Sequence, residues 1–75
     1  MHVHPRVIEL FTVARTEGAT HYDGDAWHGV YKHPRFYRVQ GGRIEVAEVP
    51  FFGGVFVWAP WSNGLPASAW PFTRP

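Results

Sequence analysis

Hydrophobic and polar positions alternate most regularly between residues 36 and 59, FYRVQGGRIEVAEVPFFGGVFVWA. Apolar residues at every second position mark strands, whose side chains point alternately to opposite faces. Gly41-Gly42 interrupts the alternation, and two glycines supply the positive φ angles of a two-residue hairpin turn. That turn fixes a register. Gln40 faces Arg43, Val39 faces Ile44, Arg38 faces Glu45, Tyr37 faces Val46, Phe36 faces Ala47 and Arg35 faces Glu48. Tyr37, Val39, Ile44 and Val46 then share one apolar face. Arg38–Glu45 and Arg35–Glu48 become opposite-charge cross-strand pairs, worth about 0.2–1 kcal/mol each. A slip of one residue breaks both pairs and mixes the faces.

Pro50 has no N–H to give to a ladder, so it marks a strand end. Phe51, Phe52, Gly53 and Gly54 form a loop into a third strand, Val55–Ala59. Val55 and Val57 on one face, with Phe56 and Trp58 on the other, predict a strand buried on both sides. The sheet face that carries Phe36, Phe56 and Trp58 therefore needs a cover.

Nearer the N-terminus the period changes. Val7, Leu10, Phe11 and Ala14 fall on one helical stripe. Pro5 suits a first helical turn, Arg15 a last turn and Gly18 the position just beyond, so a helix is expected over residues 5–17. The β-branched residues Val7, Ile8, Thr12 and Val13 also fit a strand over 6–13. Residues 18–25 read as a loop with a turn at Asp23-Gly24. AWHGVYKH (26–33) reads as a strand that ends before Pro34. After residue 59, PWSNGLPASAWPFTRP carries four prolines and an Asn63-Gly64 turn signal, which predict extended chain. Trp61, Leu65, Trp70 and Phe72 are too apolar for a solvated tail. That tail is expected to pack on its own sheet or on a partner.

These elements predict a small α+β domain. An N-terminal helix packs on a three- or four-stranded antiparallel meander, with the aromatic tail across the other face. The alternative is an all-β, SH3-like barrel whose first strand is residues 6–13. At 75 residues the chain makes a single domain, 1–75, and buries only about 60–65% of its unfolded surface. There is no cysteine to staple it. Four Trp, three Tyr and six Phe compensate, because each large ring buries about 150–250 Å².

Charge changes the picture in one respect. Only 17% of residues are charged, against about 25% in an ordinary domain, and such a surface favours association with itself or a partner. The net charge of +1 supplies no strong field toward nucleic acid or membrane. No apolar run approaches the roughly 18 residues of a membrane span. MHVHPRV lacks the layout of a signal peptide, so a cytoplasmic protein is expected.

Candidate chemistry is sparse. His2-x-His4, with His21, Asp23, Asp25 and His28, could supply nitrogen and oxygen ligands to a metal, but the spacings match no zinc or calcium pattern. No cofactor is expected. Ser62 and Ser68 lie in the proline-rich tail outside any strand–turn–helix setting. His28 with Asp25 could exchange protons, yet a chain this short has little room for a water-excluding pocket, and no catalytic residue is assigned. Lys32, Arg35 and Arg38 interleave with aromatics as on a single-strand nucleic-acid platform. The hairpin register, however, already pairs both arginines. Phe36, Phe56, Trp58, Trp61, Trp70 and Phe72 are of the residue types that anchor protein interfaces. The expectation is a non-enzymatic protein-binding module (an inhibitor, adaptor or subunit), or a homo-oligomer. Its size alone suggests an analogy with inhibitors encoded by phages or mobile elements.

Overall fold

The computed structural model describes residues 5–50 and 55–72, and the side chains of residues 8–26, 29–50 and 55–72. The predicted Phe51–Gly54 loop, the stripe position Val7, and the side chains of His2, His4 and His28 lie outside the described residues.

A helix, α1, spans Pro5–Thr16. Proline is at home there, because the first amide of a helix has no intrahelical partner. Leu10 and Ala14 are buried and Phe11 is half-buried, so these members of the predicted stripe face the core. The helix ends where glycine permits a left-handed residue. Gly18 has φ +94°, its N–H donates to Arg15 O at 3.0 Å, and Ala19 N–H donates to Ala14 O at 2.9 Å. This is a Schellman cap, and the usual apolar contact across it is made by buried Ala14 and Ala19. Residues 6–13 are therefore helical, which removes the barrel alternative.

Among the described residues seven short strands follow: β1 (His21–Asp23), β2 (Trp27–His28), β3 (Tyr31–Lys32), β4 (Arg35–Gln40), β5 (Arg43–Glu48), β6 (Ala59–Pro60) and β7 (Trp70–Pro71). Five of them form one antiparallel sheet in the order β6-β5-β4-β1-β7, while β2 and β3 pair only with each other. The fold is α+β, a helix packed on an antiparallel sheet, with one strand more than the sequence led us to expect. The central hairpin β4–β5 has the predicted register at all six pairs. Gly41 and Gly42 have φ values of 56° and 79°, which makes the turn type I′.

Three expectations are corrected. Residues 18–25 are not all loop, because His21–Asp23 pairs with both β4 and β7. Residues 26–33 are not one strand but a small hairpin, turning at Gly29-Val30 where Gly29 has φ 65°. The third strand is cut short. Only Ala59 and Pro60 pair with β5, and residues 55–58 run extended without a ladder.

The layers also differ from the expectation. The helix lies over the face of Phe36 and Ala47, so it is α1, together with Phe72 of the tail, that covers Phe36, Phe56 and Trp58. The Phe36 ring is fully buried, with ring centroids of Phe11 and Tyr22 at 5.0 Å, Phe56 at 5.4 Å and Phe72 at 5.9 Å. The opposite face, with Arg35, Tyr37, Val39, Ile44, Val46 and Glu48, has Trp61 as its aromatic cover, 5.8 Å from the Tyr37 ring. The tail thus serves both faces instead of one.

Both edge strands carry a proline, and in each the alternation of bonded pairs fixes where its nitrogen points. Trp61 N–H donates to Ile44 O, so the bonded pairs on that edge are Ile44 with Trp61 and Val46 with Ala59, and Pro60 between them turns its nitrogen outward. Phe72 N–H donates to Thr20 O, so Pro71 likewise turns outward from β1. Each outer edge lacks the donor that a further strand would use, a device that blocks edge-to-edge pairing.

Candidate functional site: an open groove on the outer face

Among the described residues the face away from the helix is only partly covered. An open groove of about 560 Å³ remains on it, lined by Val46, Pro50, Val55, Val57 and Ala59 and reaching Val49, which is itself buried in the helix-side core. Trp61 also lines the groove, and His33, Arg35 and Glu48 complete it. Sequence positions the walls. In residues 55–58 the aromatics Phe56 and Trp58 turn inward to the helix-side core, so by strand alternation the intervening valines turn outward. Val55 and Val57 are 76% and 74% exposed. These residues were expected to be buried on both sides. Among the described residues there is one helix, and it lies over the other face.

Trp61 is held from several directions. Its Nε1–H donates to Gly64 O at 2.8 Å, and the Arg35 guanidinium lies 5.5 Å from its ring centroid. Arg35 also approaches Glu48 at 4.0 Å, and His33 Nε2 lies 3.9 Å from the same carboxylate. His33 Nε2 is 3.3 Å from Val49 O, which accepts from the ring when that nitrogen carries its proton. The groove therefore has an aliphatic lining, one aromatic wall and a rim of both charge signs. Trp61 also borders a second depression of about 430 Å³, which includes Arg43, Glu45, Pro60 and Ser62.

The predicted anchors are dispersed. Phe36 and Phe56 are buried in the core and offer no surface to a partner. Trp58 is half-buried, and its Nε1–H donates to Glu17 Oε1 at 2.8 Å. Trp70 and Phe72 lie at the far edge on the helix side, where Trp70 stacks on Phe11 at 6.1 Å and remains 47% exposed. Phe72 accepts a bond from Arg15 at its carbonyl and lies beneath that guanidinium. Of the six, Trp61 alone lines the groove. Val46, Pro50, Val55, Val57 and Ala59, which line the groove, are not among the anchors expected from sequence. The signal was present in the alternation of β-branched and aromatic residues over 55–58, which separates a surface row from a core row.

The basic residues do not converge either. Arg35 and Arg38 are three apart on β4 and so point to opposite faces. Arg38 donates to Glu45 at 2.8 Å and to Glu17 O at 2.9 Å, while Lys32 on the small hairpin bridges to Asp25 at 3.5 Å. Among the described residues no three His, Asp or Glu side chains gather as metal ligands. His21 is bonded to the Thr20 hydroxyl at 2.8 Å. Asp23 is buried and accepts from the Asp25 amide and from the Ser68 hydroxyl. The Tyr22 phenol is pushed above its ordinary value by burial, and secondarily by Asp23 and Asp25.

Compared with known proteins, the chain matches no family model, no curated protein and no solved structure. Among the described residues no helix is long and apolar enough to cross a membrane.

Proposed function

We propose that this chain is a non-enzymatic protein-binding module that docks through the groove on the face away from the helix. The observation that carries this reading is the pair Val55 and Val57, about three-quarters exposed along one wall of an apolar groove. Large apolar side chains scattered singly on a surface are ordinary, but a contiguous row bordering an apolar concavity is characteristic of interaction sites. Trp61 is the aromatic anchor, fixed by its bond to Gly64, so little rotamer freedom is lost when a partner covers it. Inhibitors, adaptors and small subunits all work in this way, and the module is proposed to act in the cytoplasm.

The test compares two baits in parallel, the wild-type chain and the Val55→Asp/Val57→Asp variant. Both substitutions fall on exposed positions, so circular dichroism and the thermal midpoint should match the wild type. A protein partner retained by the wild type and lost by the variant is the expected result. Equal retention of every partner by the two baits would remove the groove from the account.

A further inference from the structure

We infer that Asn63-Gly64 is a site of spontaneous modification, where succinimide formation converts Asn63 to isoaspartate and thereby releases Trp61 from its tether. The inference stands whether or not a partner occupies the groove.

Two dipeptides in the chain place Asn or Asp before glycine, Asp23-Gly24 and Asn63-Gly64. In each, the glycine amide can close a five-membered ring on the side-chain carbonyl carbon, because glycine has no Cβ to shield its nitrogen. The fold treats the two oppositely. Asp23 is buried, and its oxygens accept from the Asp25 amide and the Ser68 hydroxyl. The Tyr22 ring lies 3.1 Å from where a Cβ on Gly24 would stand. Asn63 and Gly64 are both exposed, and nothing lies within 4 Å of a Cβ built on Gly64. Among the described residues neither the Asn63 carboxamide nor the Gly64 N–H is held by a hydrogen bond. No bond has to break before the ring closes. Gly64 has φ 75°, a conformation that favours glycine, so the turn itself keeps the reactive pair together.

The chemistry needs only water. Gly64 N attacks Asn63 Cγ as its proton is lost to solvent, and the new C–N bond forms. The Cγ–Nδ2 bond breaks, and ammonia leaves with a proton in place of the one lost. Water then opens the imide at one of two carbonyls. Opening at Cγ gives aspartate with the original main chain. Opening at the Asn63 main-chain carbonyl gives isoaspartate, in which the chain reaches Gly64 through Cβ and Cγ and is longer by one methylene. Either product adds one negative charge to a chain whose net charge is +1.

The two products have different consequences for Trp61. Its Nε1–H donates to Gly64 O at 2.8 Å and so closes a ring that contains the 63–64 linkage. The aspartate form leaves that ring unchanged. The isoaspartate form inserts a carbon into it and carries Gly64 O away from the indole. Trp61 borders both depressions of the outer face, so its release redraws the groove wall.

The full chain, incubated folded at mildly alkaline pH and in parallel in urea, tests this. Peptide mapping by mass spectrometry, with fragmentation that separates isoaspartate from aspartate, reads both dipeptides over time. In the folded chain isoaspartate should accumulate at position 63 while Asp23 stays intact. In urea, where the fold no longer shields Asp23, position 23 should convert as well. The isoaspartate form, separated by ion exchange, should show faster hydrogen exchange at the Trp61 indole N–H. The Trp58 indole, bonded to Glu17, should be unchanged. Freshly purified Asn63→Asp carries the charge without the extra methylene and should keep the Trp61 indole protected. Asn63→Gln, which cannot close the five-membered ring, should keep it protected throughout the incubation. If Asn63 stays intact in the folded chain while it converts in urea, or if Asp23 converts first in the folded chain, the site assignment is overturned. An isoaspartate form with an unchanged Trp61 indole overturns the release. So does equal loss of protection in Asn63→Asp or Asn63→Gln.

Discussion

The guanidinium of Arg38 lies 4.4 Å from the centroid of the Trp58 ring, and through this contact β4 holds the unladdered residues 55–58 against the helix side of the sheet. The same guanidinium donates to Glu17 O, and the Trp58 indole donates to the Glu17 carboxylate. Helix end, sheet and crossing segment therefore meet at one cation. Arg38→Ala should lower stability by about 2 kcal/mol, because one side chain supplies both a charge-assisted hydrogen bond and a cation–π interaction. Trp58→Phe keeps the ring but removes the indole donor, at about 1 kcal/mol. Because the two side chains touch, their effects should be non-additive by about 0.5 kcal/mol or more. Urea denaturation of the two single variants and the double variant measures all three quantities.

Acid should loosen the same cluster from its other side. The Arg38 hydrogen bond holds the Glu45 carboxyl below its ordinary value of 4.5, with the nearby charges of Arg38 and Arg43 acting in the same direction. A carboxyl lowered on folding binds its proton more tightly in the unfolded chain. Its stabilising contribution is therefore complete above about pH 4.5 and disappears as pH falls through the lower folded value. Glu45→Gln should be less stable than wild type near neutrality, and the gap should close on acidification. Urea midpoints measured across that range for the two proteins give the answer. Added salt should narrow the gap at neutral pH, since the pair is only partly buried.

Two glycines with positive φ should respond differently to substitution. At Gly18 the φ of +94° is combined with crowding, because an added Cβ would lie 3.3 Å from Arg38 Cδ. Gly18→Ala should cost about 1–2 kcal/mol through the left-handed backbone alone, and more if Arg38 is pushed aside. At Gly41 the φ is +56° and nothing lies within 4 Å. Asparagine is favoured at this position of a type I′ turn, so Gly41→Asn should be neutral within about 0.5 kcal/mol or slightly stabilising. Thermal unfolding of the two variants separates the cases.

The contrast between these glycines also shows which parts of the fold were legible. The β4–β5 hairpin could be read because turn chemistry, face alternation and two charge pairs all demand one register. The helix could be read because an apolar stripe ends at a glycine in the C′ position. β1 could not, since Tyr22 is the one large apolar side chain in His21–Asp23, and its strand character comes from neighbours on both sides that are remote in sequence. The third strand was over-read. Its alternation was seen correctly, but two buried faces were assumed where, among the described residues, only the aromatic row packs into the core. For the same reason the groove was invisible: its walls join Val46 to Val55 and Val57 through packing that no local pattern encodes. Trp61 was picked out by residue type, whereas its place on the outer face follows from the β5–β6 pairing.

The tail is fastened by a polar contact as well as by rings, and this yields the last prediction. Asp23 is 2% exposed, and its Oδ2 accepts from the Ser68 hydroxyl at 2.8 Å while its Oδ1 accepts from the Asp25 amide at 2.9 Å. Ser68→Ala leaves one carboxylate oxygen buried without that donor. A buried group stripped of its partner costs about 1–3 kcal/mol, more than the net worth of the bond itself. Ser68 stands two residues before β7, so the loss should fall first on the β1–β7 edge. The Phe72 amide, which donates to Thr20 O at 3.2 Å, should exchange its hydrogen faster in Ser68→Ala. The amides of the β4–β5 ladder should change only in proportion to global stability. Asp23→Asn keeps an acceptor for the Asp25 amide and places an NH2 donor where Oδ2 stood, from which the Ser68 hydroxyl can accept, so it should cost less than Asp23→Ala. If Ser68→Ala accelerates exchange uniformly across the sheet, or not at all, the bond does not fasten the tail, which is then held by the ring contacts of Trp70 and Phe72 and by the Arg15 bond to Phe72 O.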